Sequence, residues 1–148
     1  MSDKTRHWLL LYYKLPAKPT ASRVYIWRKL KRLGALLWLD AAWVLPDTPH
    51  TREQFQWLSA EIVELKGEAA TWLAQSLAPE QETQIINQFN EQVDAAYQKL
   101  LARLKKRNLD LPALSRQYQR AKQADYFQSA LGQQVREHLI GLRGGNRS

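Results

Sequence analysis

The sequence has no cysteine and a single methionine, Met1. Without thiols the chain cannot form disulfides, thiolate metal sites or a thiol nucleophile, and redox chemistry would need a borrowed cofactor. No apolar stretch reaches the roughly 18 uncharged residues that a membrane span requires. Residues 3–7 lead directly into a strand-like segment, without the apolar core of a signal peptide. These absences predict a cytoplasmic protein with no membrane association. Catalytic signatures are missing as well: there is no Gly-rich phosphate loop and no GxSxG nucleophile motif. The three histidines, His7, His50 and His138, fall in separate elements with no HxH or HxxxH spacing, so neither a metal site nor a cofactor is expected. Asp40 and Asp47 bracket one strand region and could hold Mg²⁺ or exchange protons. Turn capping is the commoner use of Asp at such places. The expectation is therefore a protein that is not an enzyme.

What is present is enough apolar content, 45% of 148 residues, to bury a core, and an uneven charge. Residues 1–32 carry nine Lys or Arg against one acid, residues 33–98 two against ten, and residues 99–148 eleven against three. Two basic segments flank an acidic middle, which favours an anionic partner or pairing of basic with acidic segments.

Residues 8–15 (WLLLYYKL) form a nearly continuous apolar run closed by Pro16 and Pro19, the pattern of a strand buried on both faces. Thr20 or Ser22 can cap a helix whose Ile26, Leu30 and Leu33 share one side. Gly34 is placed to end it. Residues 35–45 read as two strands broken near Leu39 and Asp40. Thr51 and Gln54 resemble a capping box for a helix with Phe55, Leu58, Ile62 and Leu65 inside and a stop at Gly67. Residues 69–77 supply a last strand. This order predicts an α+β fold with a ferredoxin-like βαββαβ core over residues 7–77.

A C-terminal helical extension follows, so the expected division is residues 1–78 and 79–148. Pro79 opens a long helix with Ile85, Phe89, Val93, Ala96, Leu100 and Leu104 on one stripe. Asp110 can cap a second helix, and Phe127, Leu131, Val135 and Leu139 mark a third. Fraying is expected from Gly144. The long apolar stripe exceeds what one small sheet covers, so the extension is expected to form a homodimer or, alternatively, to pack within its own chain.

The functional signal is the first helix, which turns Arg28, Lys31 and Arg32 away from its apolar side, with Lys29 at the edge and Arg23 near the start. Such a face can meet several phosphates at once. Arg23, Arg28, Lys29, Lys31 and Arg32 are therefore the candidate DNA or anion contacts. Six Trp lie between residues 8 and 72; Trp8, Trp38 and Trp43 suit the core, whereas Trp27 and Trp57 could face either core or ligand.

The strings WLLLYYKLP, RVYIWRKLKRLGA, AAWVLPDTPHTREQFQWL, EIVELKGEA and ADYFQSALGQQVREHL together resemble the N-terminal domain of the ChrB chromate-resistance proteins. The resemblance implies a bacterial cytoplasmic regulator of a chromate-efflux operon, with operator DNA or the chromate oxyanion as partner. It also implies a ferredoxin-like core similar to the PaaX middle domain and to small CRISPR-associated nucleases. Those nucleases carry an Asp at the end of the first strand, where this chain has Tyr13, Lys14 and Leu15. The resemblance also implies that full-length family members continue into a second domain, so any sensing or enzymatic role residing there is not expected of residues 1–148. The alternative is an assembly module that binds a protein partner or a separately encoded second domain.

Overall fold

A computed structural model describes residues 6–145. The elements in chain order are β1 (Trp8–Lys14), α1 (Thr20–Leu33), β2 (Leu36–Trp38), β3 (Ala42–Pro46), α2 (Pro49–Glu64), β4 (Glu68–Ala74), α3 (Pro79–Leu104), α4 (Leu111–Gln123) and α5 (Ala130–Gly145). They fall into two compact units, Met1–Ile85 and Ile86–Ser148, with α3 beginning in the first and continuing into the second.

The first unit is the α+β part. Its sheet has the order β2-β3-β1-β4 with every neighbouring pair antiparallel, so the α1 crossover spans β3. The continuous apolar run of β1 has the predicted consequence: Trp8, Leu9 and Leu11 are all buried, as are Ala42, Trp43, Val44 and Leu45 on the adjoining strand. Successive strand residues point to opposite faces, so both faces of these two strands are covered. Helix α2 packs on β1 and β4 and buries Phe55, Leu58 and Ile62. Helix α1 buries Ser22, Ile26 and Leu30, and its Lys29 reaches Glu61 of α2 at 3.6 Å. Each of these large apolar side chains contributes about 1.5–3 kcal/mol on leaving water.

Local chemistry sets the boundaries. Gly34 adopts φ 78° and its N–H donates to the Lys31 carbonyl at 3.0 Å, while the Ala35 N–H reaches Leu30 at 3.1 Å, so α1 ends as expected. Its start differs, because Pro19 occupies the N-cap and neither Thr20 nor Ser22 supplies a side-chain cap. Leu39 and Asp40, with φ 54° and 55°, make the tight connection between β2 and β3. The α2 cap also differs from the expected Thr51 and Gln54 pair. Thr48 is the N-cap, its hydroxyl accepting from the Thr51 N–H at 3.0 Å while the Thr48 N–H donates to Thr51 Oγ1 at 2.9 Å. Pro49 then fits the first helical turn, where its missing N–H costs nothing. Lys66, at φ 71°, makes the left-handed step after α2, and Gly67 follows because a Cβ there would stand 2.4 Å from the Lys14 carbonyl oxygen.

The second unit is helical. Val93, Tyr97, Leu100 and Leu104 of α3 meet Leu114 and Tyr118 of α4 and Val135 and Leu139 of α5 in one core. Asp110 caps α4, accepting from the Ala113 N–H at 3.1 Å. Asp125 organises the turn into α5, where its carboxylate accepts from the Tyr97 hydroxyl at 2.8 Å and from the Ser129 N–H at 3.0 Å. The Ser129 hydroxyl donates to Asp94. Phe127 precedes α5 rather than opening it and lies 5.5 Å from the Phe89 ring. Helix α5 continues through Gly144 to Gly145. The expectations for residues 3–5 and 146–148 lie outside the described residues. No helix among the described residues is long and apolar enough to cross a membrane.

Candidate nucleic-acid interface

Helix α1 carries five basic residues and no acid over its 14 residues, a rod of about 21 Å. With Ser22, Ile26 and Leu30 facing inward, the 3.6-residue period turns Arg28, Lys31 and Arg32 outward, while Arg23, seven residues before Leu30, lies at the edge of the apolar side near the helix start; all four are exposed. None of the four forms an ion pair among the described residues. Lys31 and Arg32 sit in the last turn, where the partial negative charge of the helix end favours cations.

Lys29 behaves differently. It is half-buried beside α2, and its contact with the Tyr25 side chain, followed by the Glu61 carboxylate, raises its pKa. An ammonium already held by Glu61 is less available to a ligand than its four neighbours. The sequence-predicted set is thus brought onto one helix, with four residues open to solvent and the fifth tied to the acidic helix beside it.

Two aromatic side chains share this face. Tyr25 is 44% and Trp27 50% exposed, whereas Trp8 and Trp43 are buried and Trp38 half-buried. The Lys29 ammonium lies 5.2 Å from the Tyr25 ring centre and the Lys31 ammonium 5.9 Å from that of Trp27. Each ammonium thus lies within cation–π range of the ring four residues before it. Tyr25 was not legible as a site residue from composition, although its four-residue spacing from Lys29, repeated by Trp27 and Lys31, carries the signal. Trp57, on α2, is also exposed, at 62%. A surface with unpaired guanidinium groups and open π-faces can neutralise phosphates and stack on bases.

The two aspartates do not form a site. Asp40 is exposed in the turn before β3 and Asp47 follows the strand at its other end, a separation of roughly 20 Å at 3.3 Å per residue. Asp47 is engaged by Arg52 through two hydrogen bonds of 2.6 and 2.9 Å, which lower its carboxyl pKa. Among the described residues no group of three or more His, Asp or Glu could hold a metal ion.

The family model described as "Protein ChrB, N-terminal" matches residues 23–123, from Arg23 of α1 to the last residue of α4. The chain belongs to the ChrB N-terminal family. It is 30% identical over 89 residues to Protein ChrB of Cupriavidus metallidurans, a stretch that covers 60% of this chain and 28% of that protein. The chain thus spans well under two thirds of the curated relative it matches. No solved structure matches it. The ChrB match includes all five candidate basic residues of α1, together with Tyr25 and Trp27.

Proposed function

We propose that this ChrB-family chain serves chromate resistance as a chromate-responsive transcriptional regulator that grips operator DNA through the exposed face of α1. The observation that carries this reading is the unpaired quartet Arg23, Arg28, Lys31 and Arg32, interleaved with exposed Tyr25 and Trp27. Backbone phosphates supply most of the affinity of such a surface, and aromatic rings add contacts to unstacked bases. It is a cytoplasmic, non-enzymatic role.

A homodimer belongs to the proposal, on grounds other than the long helix. Ile85, Phe89, Val93, Leu100 and Leu104 of the expected stripe are already buried within one chain and only its Ala96 is exposed, so the stripe offers little spare surface. Strand β4 instead lies at the sheet edge with Trp72 61% and Leu73 52% exposed, and edge strands of this kind pair readily with another chain. The second reading, an assembly module for a protein partner, draws support from the greater length of the matched relative.

A triple variant, Arg28→Glu, Lys31→Glu and Arg32→Glu, separates the two. The three side chains are exposed, so the variant is expected to fold normally by circular dichroism. Loss of DNA binding by at least a hundredfold supports the regulator. Unchanged DNA binding, or none in the parent protein either, supports the assembly module.

A further inference from the structure

The second unit holds a cationic site that the α1 reading does not use. A shallow groove of about 350 Å³ runs along α4 and α5, lined by Ser115, Arg116, Gln119, Arg120, Gln123 and Arg143. Every lining side chain can donate hydrogen bonds and none is acidic. Arg116 and Arg120 are one helical turn apart on α4, a helix that has no Asp or Glu in its 13 residues. Arg143 enters from α5, where its Nη2 donates to Ser115 Oγ at 2.7 Å. That bond fixes the guanidinium over the groove and leaves the Ser115 hydroxyl proton free to donate in turn. Among the described residues, no carboxylate pairs with any of the three arginines.

Three like charges gathered from two helices without a counter-ion repel one another, and a bound anion relieves that repulsion. Arginine suits this task because its planar fork donates two parallel hydrogen bonds to adjacent oxygens of one anion. A hydroxyl and two amides complete a donor set for an anion with oxygens pointing in several directions. A concave groove of this size admits a compact anion, whereas the convex face of α1 suits an extended backbone.

From this we infer that the α4–α5 groove is a binding site for a small tetrahedral oxyanion of charge −2, held by Arg116, Arg120 and Arg143 with Ser115 as an additional donor. The site is separate from the α1 face and does not require that α1 bind DNA. Only the choice of chromate as the anion rests on the proposed regulatory role; sulfate and phosphate share its charge and shape.

The test is thermal unfolding and titration calorimetry of the full chain with sulfate, phosphate and chromate, at constant ionic strength set with chloride. The absence of cysteine allows chromate to be used without thiol oxidation. At a hundredfold excess over Kd, a bound oxyanion raises the melting temperature by roughly 5–10 °C. The Arg116→Gln, Arg120→Gln double variant and, separately, Arg143→Gln are expected to weaken binding at least tenfold. These exposed positions should leave the helical circular dichroism unchanged.

Equal stabilisation of parent and variants would overturn the site, since it would reflect a general salt effect. Loss of the response in the α1 triple variant but not in the groove variants would also overturn it, moving the anion to α1 while leaving the regulator reading intact. If no free oxyanion binds, yet the groove variants lose DNA affinity, the arginines are backbone phosphate contacts and the small-anion proposal fails. Groove-dependent oxyanion binding in a chain that binds no DNA would uphold the site and remove the regulator.

Discussion

Gly132→Ala is expected to destabilise the helical unit, although alanine is the better helix former. A Cβ at position 132 would lie 2.7 Å from Cε2 and Cζ of Tyr97 and 2.8 Å from its hydroxyl oxygen. Tyr97 cannot easily give way: it is 1% exposed and its hydroxyl donates to Asp125 at 2.8 Å. Helix propensity favours alanine by about 0.9 kcal/mol. Overpacking costs about 1–3 kcal/mol, and displacing a hydrogen bond to a charged group about 1.5–3 kcal/mol more. The net effect is a loss of about 3 kcal/mol, or roughly 9 °C in melting temperature. Gly141 supplies the control, since it lies in the same helix and a Cβ there meets nothing within 4 Å. Gly141→Ala should therefore raise stability by up to about 0.9 kcal/mol. Urea unfolding followed by the helical circular dichroism signal measures both, and equal stability of the two variants would refute the collision argument.

Gly67→Ala is expected to be harsher, because its Cβ would stand 2.4 Å from a backbone atom, the Lys14 carbonyl oxygen, and the β1–β4 pairing would have to shift; amide exchange along β4 reads this directly. Burial pushes the Tyr126 phenol up to about 12, while the unfolded chain releases that proton near its ordinary value of 10.0. The folded state thus holds the proton longer, so stability is complete below pH 10 and falls as pH rises toward 12, and urea midpoints should show a smaller alkaline decline in Tyr126→Phe. For DNA, four α1 cations neutralising four phosphates predict a plot of log K against log salt with a slope of about −3.6 per chain. Trp27→Ala should weaken single-stranded more than duplex binding, by roughly five- to a hundredfold for one lost stacking contact, measured by anisotropy.

Much of the first unit was legible because single residues have single uses. The run of apolar residues in β1 has no polar side, and Gly34 supplies the left-handed step after α1; in the second unit, Asp110 can accept from the first turn of α4. The α2 start was misread because Thr48 and Thr51 cap each other reciprocally, a pairing that a search for Thr followed by Gln or Glu passes over. The last strand ends at Ala74 rather than Leu77, and its place at the sheet edge depends on tertiary pairing that no local period encodes. Helical phase puts Arg28, Lys31 and Arg32 opposite the apolar side and Lys29 at its edge, yet it could not supply the partner of Lys29, since Glu61 lies 32 residues further along the chain. The arginine groove was invisible for the same reason: Arg116 and Arg143 meet only through the packing of α4 and α5.

The central claim is that α1 carries sequence-specific DNA recognition answering to chromate. Fluorescence anisotropy of the purified chain against labelled DNA from its own upstream region, at near-physiological salt, tests it most directly, with chromate added in one series and sulfate in another. The account predicts binding well above that to random DNA, released by chromate and not by sulfate, and lost in the Arg28, Lys31, Arg32 reversal variant. Affinity no greater than for random DNA, or specific binding that survives the reversal of α1, would contradict it.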